Sequence, residues 1–322
     1  MSFVSFFTDS EILLGTKLLE VVYIIMGLLS IYTGVKNVRD EENTSRIQTG
    51  IFWIVLGIII GFGRFINMMN NGTMITGILI FIMVIPAILK KVKPGKLDMP
   101  TAEQSQRLLE KNGMKVFIPA LSIGVCAILS ATLTDLGAIV GVAAGVLVGV
   151  VFLMILSKEN TPAVFLKDTE RLLSMVGPLS ILPMLLASLG AVFTAAGVGD
   201  VIASYVEKII PSGSITIGII VYCLGMVIFT MIMGNAYAAI TVMTVGIGAP
   251  FVLALGADPT VVGMLALTIG FCGTLLTPMA ANFNIVPVAM LDMKNRFGVI
   301  KNQLVIAVFM ILFQIGYMLL FS

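Results

Sequence analysis

The amino-acid sequence predicts an all-α polytopic membrane protein. Of its 322 residues, 58% are hydrophobic and 11% are charged, against roughly 45–50% and about 25% in an ordinary soluble domain. Apolar stretches recur along the whole chain, and a membrane helix needs about 20 such residues. We therefore expect about ten transmembrane helices, one re-entrant hairpin and one discontinuous helix, embedded in the inner or plasma membrane of the cell.

The composition excludes several classes of function. The chain has no histidine, which excludes histidine-based metal sites, general bases and proton relays. Its net charge is only +2, and no basic block is interleaved with aromatic residues, so nucleic acid is not an expected partner. We expect no enzymatic activity and no cofactor, because the membrane-depth polar residues include no clustered nucleophile and base.

Apolar runs in the first half of the chain predict plain spanning helices. The loops between them alternate between charge-rich and charge-poor, with seven basic residues within 90–115 but only Arg64 within 64–72. The positive-inside rule therefore places 90–115 in the cytoplasm and the N-terminus outside. The five predicted helices lie at 19–35, 48–63, 73–89, 116–134 and 137–156.

From Leu172 onward, glycine and proline interrupt the apolar pattern. We interpret 235–257 as a re-entrant hairpin and 260–291 as a discontinuous helix, between straight spans at 214–233 and 302–321. The C-terminus is then outside. A full crossing by 235–257 would reverse this unless 171–210 were a single long helix, so the two interpretations remain alternatives. The predicted organisation is a three-helix part at 1–90, a cytoplasmic linker at 91–115, a helix pair at 116–171 and a last part at 172–322 that contains the hairpin and the discontinuous helix.

Two places in the last part combine helix-weakening residues with amide side chains. Gly234-Asn235 interrupts one apolar run, and the segment 273–284 brings a glycine, a proline, two threonines and two asparagines into another. Because backbone leaves the helix at membrane depth only where it is buried or lines a cavity, the two breaks predict a substrate and ion site. The candidate substrate-binding residues are Asn235, Ala236, Thr277, Pro278, Asn282 and Asn284. The candidate ion-binding residues are Gly234, Asn235, Thr274, Ala280 and Asn284.

The residue types restrict what such a site binds. No lysine or arginine lies between Lys208 and Asp292, so an anionic substrate depends on helix N-terminal N–H groups and side-chain amides. Sodium requires only freed carbonyls and Asn or Thr oxygens. Close helix packing is the alternative explanation, since small residues and amides also serve that purpose in membranes.

The same residues resemble the second repeat of the ion transporter superfamily, whose members include sodium-coupled dicarboxylate symporters. Gly234-Asn235-Ala236 keeps the Asn of a Ser-Asn-Thr hairpin signature, without its Ser and Thr. Pro278-Met279-Ala280 and the later Asn284 are similar to the Pro-x-Ala and Asn of an unwound helix. The resemblance implies an inverted-repeat carrier, of which this chain contains only one hairpin and one unwound helix.

The chain most resembles a bacterial two-subunit permease family, whose members look like one half of a transporter. They are encoded beside a second, smaller membrane protein and sometimes near pyroglutamyl peptidase genes. This implies a subunit of a secondary active, elevator-like, sodium-coupled transporter for a small organic anion such as pyroglutamate (5-oxoproline). The alternative is a structural or accessory membrane subunit in which the breaks only pack against a partner.

Overall fold

The computed structural model describes residues 3–95, 101–208, 213–291 and 293–322, which form helices, turns and loops without a β-strand. Seven helices in these ranges are long and apolar enough to cross a membrane. They are Leu14–Arg39, Arg46–Asn67, Gln106–Leu133, Ala138–Leu156, Ile215–Met233, Ala236–Leu255 and Gly298–Phe321. The prediction of an all-α polytopic membrane protein is therefore confirmed, while the ten crossings and the re-entrant hairpin stay predictions.

The chain divides into two compact units, one ending at Gly177 and one beginning at Pro178. The first unit contains eight described helices. All five apolar runs predicted there are helical, and α6 is the shortest of the five helices that they form, with 16 residues. The helices are α1 (Phe3–Thr8), α2 (Leu14–Arg39), α3 (Arg46–Asn67), α4 (Gly72–Ile88), α5 (Ala102–Asn112), α6 (Ile118–Leu133), α7 (Ala138–Leu156) and α8 (Pro162–Val176).

Glycines fix the closest helix pairs of the first unit. A Cβ added at Gly27 of α2 would lie 2.5 Å from the carbonyl oxygen of Gly57 on α3, and one added at Gly57 would lie 2.5 Å from the oxygen of Gly27. On α7, a Cβ at Gly145 would lie 2.5 Å from the Cα of Ile123 on α6. Small residues at these crossings let the backbones touch, which is how membrane helices gain packing energy.

The second unit consists of shorter and more interrupted helices. After a straight α11, the chain forms α12, a π-helical turn at Thr244–Gly248, and a 3₁₀ turn at Leu253–Leu255. The helices are α9 (Leu182–Ala195), α10 (Val198–Val206), α11 (Ile215–Met233), α12 (Ala236–Met243), α13 (Ala249–Phe251), α14 (Pro259–Leu275), α15 (Ala281–Asn284), α16 (Val286–Met290) and α17 (Gly298–Phe321).

The core of the second unit lies where α11, α12, α14 and α17 pack together. Tyr222 and Met226 of α11, Ile269 of α14 and Met318 of α17 are fully buried there. The Tyr222 hydroxyl is 3.0 Å from the hydroxyl of Thr244, in the π-helical turn. This core anchors the ends of α11 and α14, where the helical backbone is interrupted.

Candidate functional site

The first break separates α11 from α12. Gly234 ends α11 with a left-handed backbone (φ 70°), and its N–H donates to the carbonyl oxygen of Thr230 at 2.7 Å. Asn235 then caps α12: its Oδ1 accepts from the N–H groups of Tyr237 at 2.8 Å and Ala238 at 3.4 Å. Glycine supplies the left-handed turn and asparagine the cap, so the local sequence stops one helix and starts the next.

The second break follows α14, whose last helical residue is Leu275. Residues 276–280 are not helical, and the short helix α15 begins at Ala281. The Nδ2 group of Asn284, which is fully buried, donates to the carbonyl oxygens of Thr274 at 2.7 Å and Thr277 at 2.6 Å. These carbonyls have lost their helical partners, and Asn284 satisfies both of them.

The two breaks lie against each other. The hydroxyl of Thr277 donates to the carbonyl oxygen of Met231, in the last turn of α11, at 2.8 Å. A Cβ added at Gly234 would lie 2.5 Å from the carbonyl oxygen of Met279. Backbone contact at this distance is open only to glycine, so this residue closes the gap between the breaks.

Two buried oxygens at the junction have no hydrogen-bond partner among the described residues. They are Oδ1 of Asn284 and the hydroxyl oxygen of Thr230. Both flank the last turn of α14, because Asn284 bonds to Thr274 and a Cβ added at Gly273 would lie 2.8 Å from the Cβ of Thr230. Buried polar atoms without partners cost free energy and call for an explanation such as a bound ion or water.

The helix ends give the junction a defined electrostatic character. The C-terminal ends of α11 and α14 meet there, and each carries a partial negative charge from the aligned dipoles of its peptide groups. The N-terminal end of α12 carries the opposite partial charge. The junction therefore presents oxygen ligands suited to a small hard cation beside a helix end suited to an anion.

The structure distributes the remaining predicted residues around this junction. Ala236 and Ala280 are buried at the starts of α12 and α15. A Cβ added at Gly270 would lie 3.2 Å from the Cβ of Ala236. Pro278 is exposed in the second break, and Asn282 is half-buried on α15.

The amides of Asn235 and Asn284 bond to their own breaks, and no hydrogen bond between them occurs in the described part of the chain.

An aromatic row that the sequence did not single out borders the junction. The ring of Phe271 packs edge-on against Tyr237, with centroids 5.8 Å apart, and against Phe283, with centroids 6.2 Å apart. Tyr237 and Phe283 are exposed. Thr230 was also missed, because its position one turn before Gly234 is the one sequence signal for it and a threonine is common inside apolar helices.

These features define an all-helical membrane protein with two interrupted helices that meet at a polar junction. A family model described as "Protein of unknown function (DUF979)" matches residues 20–322, so the chain belongs to this family. The comparison with curated proteins gives no match, and neither does the comparison with solved structures.

Proposed function

We propose that this protein is a subunit of a secondary active transporter that moves a small organic anion across the cell membrane. The observation that carries the proposal is the meeting of the two breaks at Gly234 and Met279. Interrupted helices that meet at membrane depth are the usual construction of substrate and ion sites in such carriers. In this proposal 235–257 is a re-entrant hairpin and 260–291 a discontinuous helix.

Sodium is the coupling ion that suits the junction. Among the described residues the buried oxygens of Thr230 and Asn284 have no hydrogen-bond partner, and they lie beside the C-terminal ends of α11 and α14. In transporters, freed carbonyls and half-helix C-terminal ends bind sodium without requiring a carboxylate. Thr274 and Ala280 belong to the same backbone and complete the proposed ion ligands.

The anion is proposed to bind on the α12 side of the junction. Asn235 brings its amide to the start of α12, where the helix dipole favours negative charge. Asn282 offers a further amide donor, whereas the hydroxyl of Thr277 already donates to Met231. The exposed ring of Tyr237 covers one edge. A small carboxylate such as 5-oxoproline, which combines one charge with an amide, fits this set of groups.

A second, smaller membrane protein is proposed to complete the carrier. A two-repeat site needs two hairpins and two unwound helices, whereas the breaks around Gly234 and Pro278 supply one of each. The motion is proposed to be elevator-like, with the junction carried across the bilayer. The resemblance to a two-subunit permease family supports both points.

Thr230→Val is the sharpest test of the ion site. Valine matches threonine in shape but removes a buried hydroxyl that has no partner in the part of the chain that the structure describes. In purified protein without sodium, the variant should be as stable as the wild type or more stable, by up to about 1–3 kcal/mol. In about 100 mM sodium chloride, close to physiological ionic strength, the wild type should unfold at a higher temperature than in the same concentration of choline chloride. Thr230→Val should lose most of this increase.

Asn235→Ala and Asn302→Ala supply the matched pair for the substrate. Asn302 is exposed on α17 and serves as the control. With the smaller subunit present in liposomes, Asn235→Ala should weaken sodium-dependent uptake of 5-oxoproline about 5-fold to 150-fold, from loss of about 1–3 kcal/mol of hydrogen bonding. Asn302→Ala should transport normally.

The accessory-subunit alternative is favoured by one observation: both donors of Asn284 are used within its own break. That role is structural and needs no ligand. If the sodium response survives in Thr230→Val and uptake survives in Asn235→Ala, the breaks serve packing and the transporter proposal is wrong.

A further inference from the structure

The first unit contains a buried ion pair that the proposed transport site does not use. Glu20 of α2 is 2% exposed and is the only charged side chain fully buried among the described residues. The Nε group of Arg64, in the last turn of α3, donates to its Oε2 at 2.5 Å. The guanidinium carbon lies 5.3 Å from the centre of the Phe6 ring, which is also buried.

This pair positions the arginine more than it stabilises the fold. The carboxylate of Glu20 must leave water, and this desolvation cost offsets much of what the ion pair gains. Arg64 is fixed by Glu20 through Nε and by Phe6 beneath its plane, so the guanidinium has one orientation. Its terminal nitrogens Nη1 and Nη2 have no hydrogen-bond partner within the described ranges, and 36% of the side chain is exposed.

The depth of Arg64 indicates what binds there. Helix α3 has 22 residues, which is roughly 33 Å at about 1.5 Å per residue, so its ends reach the headgroup level of a bilayer with a core of about 30 Å. Phosphate oxygens are the common anions at that level, and the guanidinium fork matches phosphate geometry. On the neighbouring face of α2, Val21, Ile25 and Leu28 are exposed and apolar, as a surface against lipid tails would be.

We propose that Arg64 forms a binding site for a phosphate-type oxyanion, with the two Nη groups as donors and Glu20 as a positioning residue that also tempers affinity. The headgroup phosphodiester of a membrane lipid is the favoured source, and free phosphate is the other. Since Glu20 and the anion share one guanidinium, the negative charge of Glu20 weakens anion binding while its hydrogen bond aligns the donors.

The test uses the full chain, delipidated in an uncharged maltoside detergent. Thermal unfolding is followed while dioleoylphosphatidylglycerol is added in one arm and inorganic phosphate in the other. The Glu20→Gln/Arg64→Gln double variant should bind at least about tenfold more weakly than the wild type, having lost the charged fork. Glu20→Gln alone keeps an acceptor for Nε but removes the competing charge, so it should bind roughly fivefold more tightly.

Arg107→Gln is the matched control. Arg107 also pairs with a glutamate, Glu159, at 3.2 Å, but both side chains are exposed. The Arg107→Gln substitution should leave the binding of lipid and of phosphate unchanged. A response to the lipid alone identifies a headgroup, and an equal Arg64-dependent response to phosphate identifies a free anion. The proposal is overturned if the double variant titrates like the wild type, if Arg107→Gln loses as much, or, should the double variant not fold, if Glu20→Gln binds no more tightly.

Discussion

Gly234 is the single residue on which the junction of the two breaks most depends. Its φ of 70° lies in the left-handed region, where residues with a Cβ pay a steric penalty of about 1–2 kcal/mol. The site for that Cβ is also blocked, with the carbonyl oxygen of Met279 only 2.5 Å away. Conformation and space therefore both require glycine, and any larger residue must push the second break away from the first.

Gly234→Ala should consequently lower the free energy of unfolding by at least about 2 kcal/mol. The measurement is unfolding in mixed micelles by titration with a denaturing detergent. Gly263→Ala is the control, because Gly263 lies on α14 with nothing within 4 Å of its Cβ position. That substitution should be neutral or stabilising by up to about 1 kcal/mol. Equal stability of the two variants would contradict the close contact at Met279.

The candidate site was only partly predictable at the level of residues. Gly, Pro and Asn within apolar runs located both breaks, because these residue types interrupt helices in any context. Their individual roles were not predictable: Asn235 is a helix cap, whereas Asn284 bonds to carbonyls seven and ten residues before it. Thr230 was missed because an isolated threonine inside an apolar helix is commonplace until its neighbours are known.

At the scale of elements, the α2–α3 pair shows how membrane helices associate without a hydrophobic driving force. The backbones touch at Gly27 and Gly57, so dispersion contacts between main chains replace side-chain interdigitation. Gly27→Ala should destabilise the first unit by about 1–3 kcal/mol through overpacking.

The control for this substitution is Gly63→Ala on α3, whose Cβ position has nothing within 4 Å. It should leave the unfolding free energy in mixed micelles close to that of the wild type. A tolerated Gly27→Ala would mean that α2 and α3 pack less closely than the structure has them.

The start of α14 depends on the charge of Asp258. Its Oδ1 accepts from the N–H groups of Thr260 at 2.7 Å and Val261 at 3.2 Å. These backbone hydrogen bonds, of which the one from Thr260 has the larger effect, lower the pKa of the carboxyl below its ordinary value. A lowered folded pKa means that the stabilisation is complete above the unfolded pKa of about 3.9 and is lost as the pH falls through the folded pKa.

Asp258→Asn retains the capping oxygen but removes the charge. The wild type should therefore unfold at a higher temperature than the variant at neutral pH, and the difference should shrink once the pH falls below about 4. Thermal unfolding of both proteins, followed in parallel from neutral pH to below about pH 4, measures this difference in unfolding temperature. A difference that does not change with pH would show that the carboxylate is not charged in the cap.

The elements themselves were largely predictable because the bilayer leaves a chain few options. Unpaired backbone groups are too costly in lipid, so apolar runs of sufficient length become helices, and the runs at 19–35 and 48–63 lie within α2 and α3. Short pieces were not predictable. Helix α1 has only six residues and is fixed by contacts such as those of Phe6 with Phe65, which the sequence pattern does not reveal.

At the scale of the whole molecule, the number of membrane crossings determines the side on which each terminus lies. Loop charges predict that the N-terminus is outside and that α5, with its neighbouring basic residues, is cytoplasmic. The side on which the chain ends then depends on the segment between Ala236 and Leu255. This segment has 20 residues and is apolar enough to cross, but a π-helical turn and a 3₁₀ turn interrupt it.

Single cysteines at three positions distinguish the two topologies. In a background with Cys126, Cys223 and Cys272 replaced by alanine, an impermeant thiol reagent applied to intact cells should label Asn70→Cys, between α3 and α4. It should label Lys111→Cys, on α5, only after permeabilisation. Ser322→Cys decides the hairpin: with a re-entrant segment the C-terminus is outside and is labelled in intact cells. The segment 171–210 is not one long helix but is divided among α8, α9 and α10. With two crossings there, a full crossing by 235–257 reverses the parity, so protection of Ser322→Cys, with the other two positions as predicted, would refute the re-entrant hairpin on which the proposed site depends.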